Sequence, residues 1–522
     1  MAIELNLYTA SQTRELDRVA IEDFGYSGGA LMQRAGERAF VAITQHYSEA
    51  GSIVVLCGPG NNGGDGYVVA DCALRLGFEV VVIRSSLPAT SAALEMCSQY
   101  LDRGGKIIEC DKHLAVDDAI HDSDQSDRSD CVGKGLDQEI AVLISGASLV
   151  VDGLLGTGLD RAPQGVIAGL IELTNMSSSQ VLALDVPSGL NSDNGRAYEP
   201  CLKAQTTVTF IGQKLGCYTG KGKDYCGNLI YESLELPGVI LEKVKAQARI
   251  IVPVTLTARN MDTHKGNFGN VVISGGDNGL LGATLLSGKA ALRCGTGLVT
   301  VLSTDQHLDQ PALHCPELMS ASYSDTSGLS VAAQNLLNQC DVIVIGPGLG
   351  QSVWSRSMFQ LIMTHEKSMV VDADGLNLLA ENPFKNHNWV LTPHPGEAAQ
   401  LLGCSAAKIQ QDRITAIRRI HEIYGGVCIL KGAGTLVFDG GDTIWLCDRG
   451  NSGMSTAGMG DVLSGVIGSL LGSGLSLLDA AKTAVWLHAA GADRIAVRMH
   501  APSLLASDVI SILPEMLAHI SD

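Results

Sequence analysis

Residues 450–465 read GNSGMSTAGMGDVLSG and place one carboxylate, Asp461, between a run of small residues and an apolar helical run. Bare amides at a helix N-terminus make an anion site, because unpaired N–H groups and the helix dipole both favour negative charge. Bound phosphate would repel an aspartate there, so Asp461 needs a task. It is either an ordinary helix N-cap or a general base that takes the proton of a hydroxyl attacking a terminal phosphoryl group. This segment alone weighs the two evenly.

A second glycine-rich segment, GPGNNGGDG at 58–66, follows the apolar run SIVVLC and leads into a helical pattern that ends at Leu76. Gly58, Gly60 and Gly63 have the spacing of a dinucleotide fingerprint, and Arg84 with Ser85 and Ser86 at the next strand end would suit a 2′-phosphate. Against that reading, Asn61, Asn62 and Asp65 crowd polar side chains into a turn that a dinucleotide requires bare. Two further strand ends carry oxygen: Asp152, ahead of Gly156-Thr-Gly-Leu-Asp-Arg161, and Asp185 in the run DVPSG. Asn62, Asp152 and Ser188, with backbone carbonyls, offer the all-oxygen donors of a hard cation site. Taken singly, Asp152 or Asp185 reads better as a turn cap.

The elements that must position these groups follow from the apolar pattern. A chain of 522 residues exceeds one ordinary core. Continuous apolar runs at Ser52–Cys57, Glu79–Ile83, Ser148–Asp152, Val181–Asp185 and Thr207–Ile211 alternate with helical stretches. A second series occupies Asn270–Ser274, Val342–Ile345, Met369–Asp372, Trp389–Leu391 and Val427–Leu430. Such alternation predicts two α/β domains, each a parallel sheet with helices on both faces, whose ligands gather at the carboxyl ends of the strands. The proline-bearing stretch Leu236–Pro253 separates them, giving domains at 1–240 and 250–522. The polar, acidic stretch 121–137 has no periodicity and reads as a surface loop.

Composition narrows the function classes. The 36 basic against 55 acidic residues give a net charge of −19, which argues against nucleic acid or an anionic membrane as partner. The 14 cysteines form no Cys-x-x-Cys pair, so neither a zinc framework nor a disulfide scaffold is expected. The first residues lack the basic and apolar regions of a secretory signal. Residues 462–478 are uncharged but broken by glycine and serine, as in buried helices rather than a membrane span. A reduced cytoplasmic enzyme acting on small molecules is the expectation.

With these motifs in place, GPGNNGGDG, VDGLLGTG and LDVPSGLNSDNG, together with the helix that contains Leu31–Gly36, resemble the NAD(P)H-hydrate epimerase domain over about residues 8–235. The resemblance implies a Rossmann-like three-layer αβα fold. It also implies that Asn61, Asn62, Gly63, Gly64 and Asp65, with Gly156, Thr157, Gly158, Leu159, Asp160, Arg161 and Ala162, bind the hydrated nicotinamide nucleotide. Asp185 would contact that substrate and act in catalysis, and Asn62, Asp152 and Ser188 would surround a potassium ion. The insert at 121–137 departs from the compact family pattern.

In the second half, GPGLG at 346–350, DADGLN at 372–377, TPHPGE at 392–397, KGAGT at 431–435 and GMGD at 458–461 resemble the ADP-dependent NAD(P)H-hydrate dehydratase domain of the ribokinase-like superfamily, over about residues 255–520. By resemblance, Ala283, Gly348, Gly350, His394 and Asp461 face the substrate, and Lys431, Gly432, Ala433, Gly434, Thr435 and Gly460 hold ADP with magnesium. Ser452 and Ser455 depart mildly from the family pattern. The two halves together resemble the bifunctional repair enzymes that restore NADHX and NADPHX, and superfamily likeness implies a homo-oligomer. Three other readings remain open from the residues. One is a ribokinase-like kinase of a vitamin-type alcohol with a Rossmann-like NADP-binding first domain. Another makes the first domain an NADP-dependent oxidoreductase, on the glycine spacing and Arg84. The third is a first domain that binds a nucleotide or serves as a scaffold without catalysis.

Overall fold

The apolar runs of each half become the central strands of two separate sheets. The computed structural model describes residues 5–49, 51–110, 138–324 and 328–521. The acidic stretch 121–137 lies outside the described residues. The chain divides into two compact units, Met1–Ala248 and Arg249–Asp522.

In the first unit the strands are β1 (Ser52–Cys57), β2 (Glu79–Arg84), β3 (Lys106–Glu109), β4 (Leu149–Gly153), β5 (Gln180–Leu184), β6 (Thr206–Phe210) and β7 (Asn228–Glu232). They lie in the order β3-β2-β1-β4-β5-β6-β7, every pair parallel. On β1, Ile53 and Val55 join one hydrophobic cluster while Val54 and Leu56 join another on the opposite face. Burial on both faces is why the run is apolar without alternation. Strand order reverses between β1 and β4, so the loops after those strands open a crevice at their carboxyl ends. A Cβ on Gly58 would lie 1.8 Å from the carbonyl oxygen of Leu154, so only glycine lets these two loops meet. A short strand, Asn6–Tyr8, pairs in parallel with Gln213–Lys214 and leads directly into the helix Ala10–Glu22.

In the second unit the strands are β8 (Asn270–Ser274), β9 (Leu298–Ser303), β10 (Met319–Ser324), β11 (Gly328–Leu329), β12 (Val342–Ile345), β13 (Ser368–Val371), β14 (Trp389–Leu391), β15 (Val427–Leu430), β16 (Leu436–Phe438) and β17 (Ile444–Leu446). Their order is β11-β10-β9-β8-β12-β13-β14-β15-β16-β17, with β11, β16 and β17 antiparallel to their neighbours. The reversal falls between β8 and β12, which brings Gly275–Asp277 beside Gly346–Gly350: the amides of Gly276 and Asp277 donate to the carbonyl of Gly348 at 2.9 and 2.8 Å. The uncharged stretch after Asp461 is the helix Met459–Gly472, packed on the helix Leu281–Arg293. Its Gly465 faces Ser287, whose carbonyl oxygen would be 2.1 Å from an added Cβ. Among the described residues, no helix is long and apolar enough to cross a membrane.

Among the strand ends that differ from the sequence pattern, two are followed closely by a non-glycine residue with positive φ. Asp185 stands just beyond β5 with φ 63°, and Ala373 just beyond β13 with φ 46°. A non-glycine residue held in the left-handed region marks a backbone whose surroundings overrule its preference, a feature concentrated at functional loops. Each strand therefore ends one residue earlier than its apolar run suggested.

Candidate active sites

The first unit carries a cleft of about 790 Å³ at the carboxyl ends of β1 and β4. Asn61, Asn62 and Asp65 line it, with Gly156, Thr157, Gly158, Leu159, Asp160, Arg161, Ala162 and Asp185. Asn61 already belongs to the helix Asn61–Arg75, so these polar residues occupy its first turns rather than a bare loop. Gly63 and Gly64 do not line the cleft. They allow packing, since a Cβ on Gly63 would meet the carbonyl oxygen of Gly58 at 2.0 Å and one on Gly64 the sulfur of Met32 at 2.4 Å. Arg84, suited by sequence to a 2′-phosphate, is buried and its guanidinium is bonded to Glu109 on β3. A nucleotide gains nothing from it there.

Beneath the cleft, Asp152 is fully buried. Its Oδ1 accepts from the Ser188 hydroxyl at 2.6 Å and the Leu154 amide at 3.1 Å, and its Oδ2 accepts from the Ser188 amide at 2.8 Å. Burial pushes its carboxyl up to about 6, against the pull of the Ser188 bonds. Among the described residues no basic side chain forms an ion pair with it. Asn62 donates its amide to the carbonyl of Leu155 at 2.9 Å, yet its buried Oδ1 has no partner. A buried carboxylate without a countercharge, beside an amide oxygen without a donor, is a donor set that fits a monovalent hard cation.

Asp185 reaches into the cleft and pairs with Lys214, whose side chain is 1% exposed. The Lys214 ammonium also donates to the carbonyl of Phe210 at 2.7 Å. No motif announced Lys214; its signal in the sequence is a single lysine in a short strand that tertiary pairing brings to the site.

In the second unit, the helix Met459–Gly472 starts at Gly458, which has φ 88° and makes no side-chain cap. Asp461 lies in the first turn and caps nothing, which removes the ordinary N-cap reading. Burial and the charge of Asp372 push its carboxyl up to about 7, while Lys431 pulls it down. Lys431 follows β15 and donates to Asp372 Oδ1 at 2.8 Å, with Glu397 Oε2 at 3.6 Å. Thr392 holds the same Asp372 oxygen at 2.7 Å. A Cβ on Gly460 would sit 3.2 Å from the Lys431 ammonium, so the amide-rich turn and the cation are neighbours.

The remaining expected residues lie on the same loops. Gly348, at φ 59°, has its Cβ position 3.2 Å from that of Ala283, and the Gly350 amide donates to Asp374 at 2.9 Å. His394 caps the helix Pro395–Leu402 by accepting the amides of Gly396 and Glu397 on Nδ1. The cap fixes the ring while its side chain stays 55% exposed. Among the described residues no group of three or more His, Cys, Asp or Glu side chains is arranged to hold a metal ion.

The comparisons follow these two constellations. A family model described as YjeF-related protein N-terminus matches residues 28–216, and one described as NAD(P)H-hydrate dehydratase matches residues 271–515. The bifunctional NAD(P)H-hydrate repair enzyme Nnr of Escherichia coli (strain K12) is 40% identical over 522 residues, covering 99% of this chain and 95% of that one. The chain belongs to the bifunctional NAD(P)H-hydrate repair enzyme family. The enzyme of the same name from Coxiella burnetii is 40% identical, with 96% of this chain and 97% of that one covered. A solved ADP/ATP-dependent NAD(P)H-hydrate dehydratase from Bacillus subtilis is 26% identical, with a TM-score of 0.46, and covers 52% of this chain and 99% of that one.

One side chain of this repair-enzyme chain that sequence reading passed over is Arg413, only 1% exposed. Its guanidinium donates to the carbonyls of Leu430, Lys431 and Gly434 at 3.1, 3.2 and 3.3 Å, and so sets the course of the 431–435 loop. Lysine offers a compact charge in place of a planar fork and cannot reach all three. Arg413→Lys is expected to raise KM for ADP about tenfold, a loss of ~1.4 kcal/mol, with little change in KM for the hydrate. Steady-state kinetics with each substrate varied in turn checks this.

Proposed function

We propose that the first unit interconverts the R and S forms of hydrated NADH and NADPH. The second unit then returns the S form to NAD(P)H, using ADP and releasing AMP and phosphate. The observation that carries the reading is Asp461: a carboxylate in the first turn of an uncapped helix, beside Lys431, with its pKa near neutrality. Hydroxide is a poor leaving group. Phosphorylating the ring hydroxyl converts it into a good one: phosphate departs with the C–O bond pair, the adjacent ring carbon loses a proton to solvent, and that C–H pair becomes the restored ring double bond. Asp461 takes the hydroxyl proton, the Gly458–Asp461 turn offers its amides to the transferring phosphoryl group, and Lys431 balances its charge. Lys431 to Thr435 and Gly460 hold the nucleotide, while Ala283, Gly348, Gly350 and His394 face the hydrate. Magnesium, when bound with the nucleotide phosphates, would neutralise part of their charge.

In the first unit, Asn61 to Asp65 and Gly156 to Ala162 hold the nucleotide, and Asp185 contacts the reacting ring. Potassium, when bound by Asn62, Asp152 and Ser188, supplies the countercharge that Asp152 lacks. Joining the two activities has a chemical rationale: a dehydratase that accepts only the S form strands the R form unless something interconverts them.

The test is to give the chain an R and S mixture of hydrated NADH with ADP, magnesium and potassium, following NADH absorbance against a no-enzyme control. Complete recovery, with AMP and phosphate formed, is expected. Recovery that stops once the S form is spent would remove the epimerase assignment. A stable phosphomonoester product would replace the dehydratase with a kinase.

A further inference from the structure

The first unit's cleft contains a titratable group to which nothing above gives a role. Asp17 lies on the helix Ala10–Glu22, and it lines the cleft with Thr13, Arg14 and Ile21 of the same helix face. It makes no hydrogen bond or ion pair among the described residues, although it stands close enough to Lys214 and Asp185 to feel both charges. The fold brings these groups together deliberately. The pairing of Asn6–Tyr8 with Gln213–Lys214 seats the helix beside Lys214, and the Ala10 amide donates to Asp193 at 2.6 Å. Burial raises the Asp17 carboxyl to about 6, with Lys214 lowering it and Asp185 raising it. That range suits a group exchanging protons near neutrality. Lys214 spends two donors on Asp185 and the Phe210 carbonyl, and an ammonium has three.

We propose that Asp17 and Lys214 are the acid–base pair of epimerisation, with Asp185 positioning the ammonium. The proposal rests on reading this unit as the epimerase. In the hydrate, the carbon bearing the hydroxyl is bonded to the ring nitrogen, so it is a hemiaminal. The Asp17 carboxylate takes the hydroxyl proton, and the O–H electron pair becomes the second bond of an aldehyde. The carbon–nitrogen bond breaks, its pair passes to the ring nitrogen, and the free N–H of Lys214 protonates that nitrogen. Rotation about the adjacent carbon–carbon bond presents the other aldehyde face. Reclosure returns one proton to Lys214 and the other from Asp17 to the new hydroxyl, so atoms and electrons balance with no co-reactant.

The experiment uses the full chain and purified R hydrate without ADP, so that dehydration is silent, with the S form resolved by chromatography against a no-enzyme control. In Asp17→Asn and Lys214→Met, kcat for epimerisation is expected to fall about 10²-fold or more while KM moves by less than about threefold. Asp17→Glu should recover part of the loss. Amide hydrogen exchange across residues 1–248 of the same proteins reports whether the first unit is folded. In ¹⁸O-labelled water, the S product should retain its original hydroxyl oxygen at early times. Asp17→Asn turning over at the wild-type rate, a rise in KM alone, or immediate ¹⁸O incorporation would overturn the proposal. A wild-type chain that fails to epimerise would instead overturn the epimerase reading itself. Should Lys214→Met fail to fold, the Asp17 pair still decides.

Discussion

Asp461→Asn is expected to lower the rate of S-hydrate dehydration by 10²- to 10⁴-fold, about the contribution of a general base, while raising the melting temperature. The two effects share one cause. Asp461 has its carboxyl raised from an ordinary 3.8 to about 7, by burial first and by the charge of Asp372 second. Between those values the folded chain holds a proton that the unfolded chain has released. Raising the pH through this window therefore costs stability, and above it the charged side chain is a standing penalty on the fold. Asparagine keeps the shape and removes the charge. The gain should be present at pH 8, shrink as the pH falls through the window and vanish only below the ordinary 3.8, where folded and unfolded chains are both largely protonated. In wild-type enzyme, kcat/KM should fall as the pH drops through about 7, because that profile reports the base of the free enzyme. Thermal melts and initial rates across pH check both halves. A variant that loses activity and stability together would mean that Asp461 supports the turn instead of serving as its base.

What the sequence made legible follows from which forces act locally. Strands buried on both faces had to be continuous apolar runs, and β1, β8, β12, β14 and β15 span the residues those runs marked. The glycine loops were visible because close backbone approach admits nothing larger, as at Gly58 against Leu154. Strands such as β3, with only its middle residues half-buried, and the short β16 and β17 left no comparable pattern. The same limit hid Asp17, Lys214 and Arg413. Each is one charged residue without a motif, and its importance arises only when distant segments meet: Lys214 against Asp185, Arg413 against three carbonyls of the loop it anchors. Conversely, Arg84 looked functional because its place in the chain suited a phosphate, and pairing of β2 with β3 gave it to Glu109 instead.

Asp152→Asn tests the cation assignment with a comparable expected effect. The carboxylate accepts two bonds from Ser188 and one from Leu154. An asparagine amide there must turn its NH2 towards one of those donors, leaving a buried N–H without an acceptor at about 1–3 kcal/mol. Opposing this, asparagine removes a buried charge that lacks a protein partner, so in potassium-free buffer the net loss of stability should be small. With potassium present the balance shifts, because wild type gains the binding free energy of the ion and the variant gains less. Wild-type melting temperature should rise with potassium, while that of Asp152→Asn should stay nearly flat. R-hydrate epimerisation should fall at least about 10²-fold in the variant, as expected when a reacting group is misplaced by 1 Å, because the Ser188 and Leu154 loops that shape the cleft lose their common anchor. Dehydration of pure S hydrate should be untouched, since Asp152 belongs to the other unit. Equal potassium responses in both proteins would place the ion elsewhere and leave Asp152 as a buried anchor of the two loops alone.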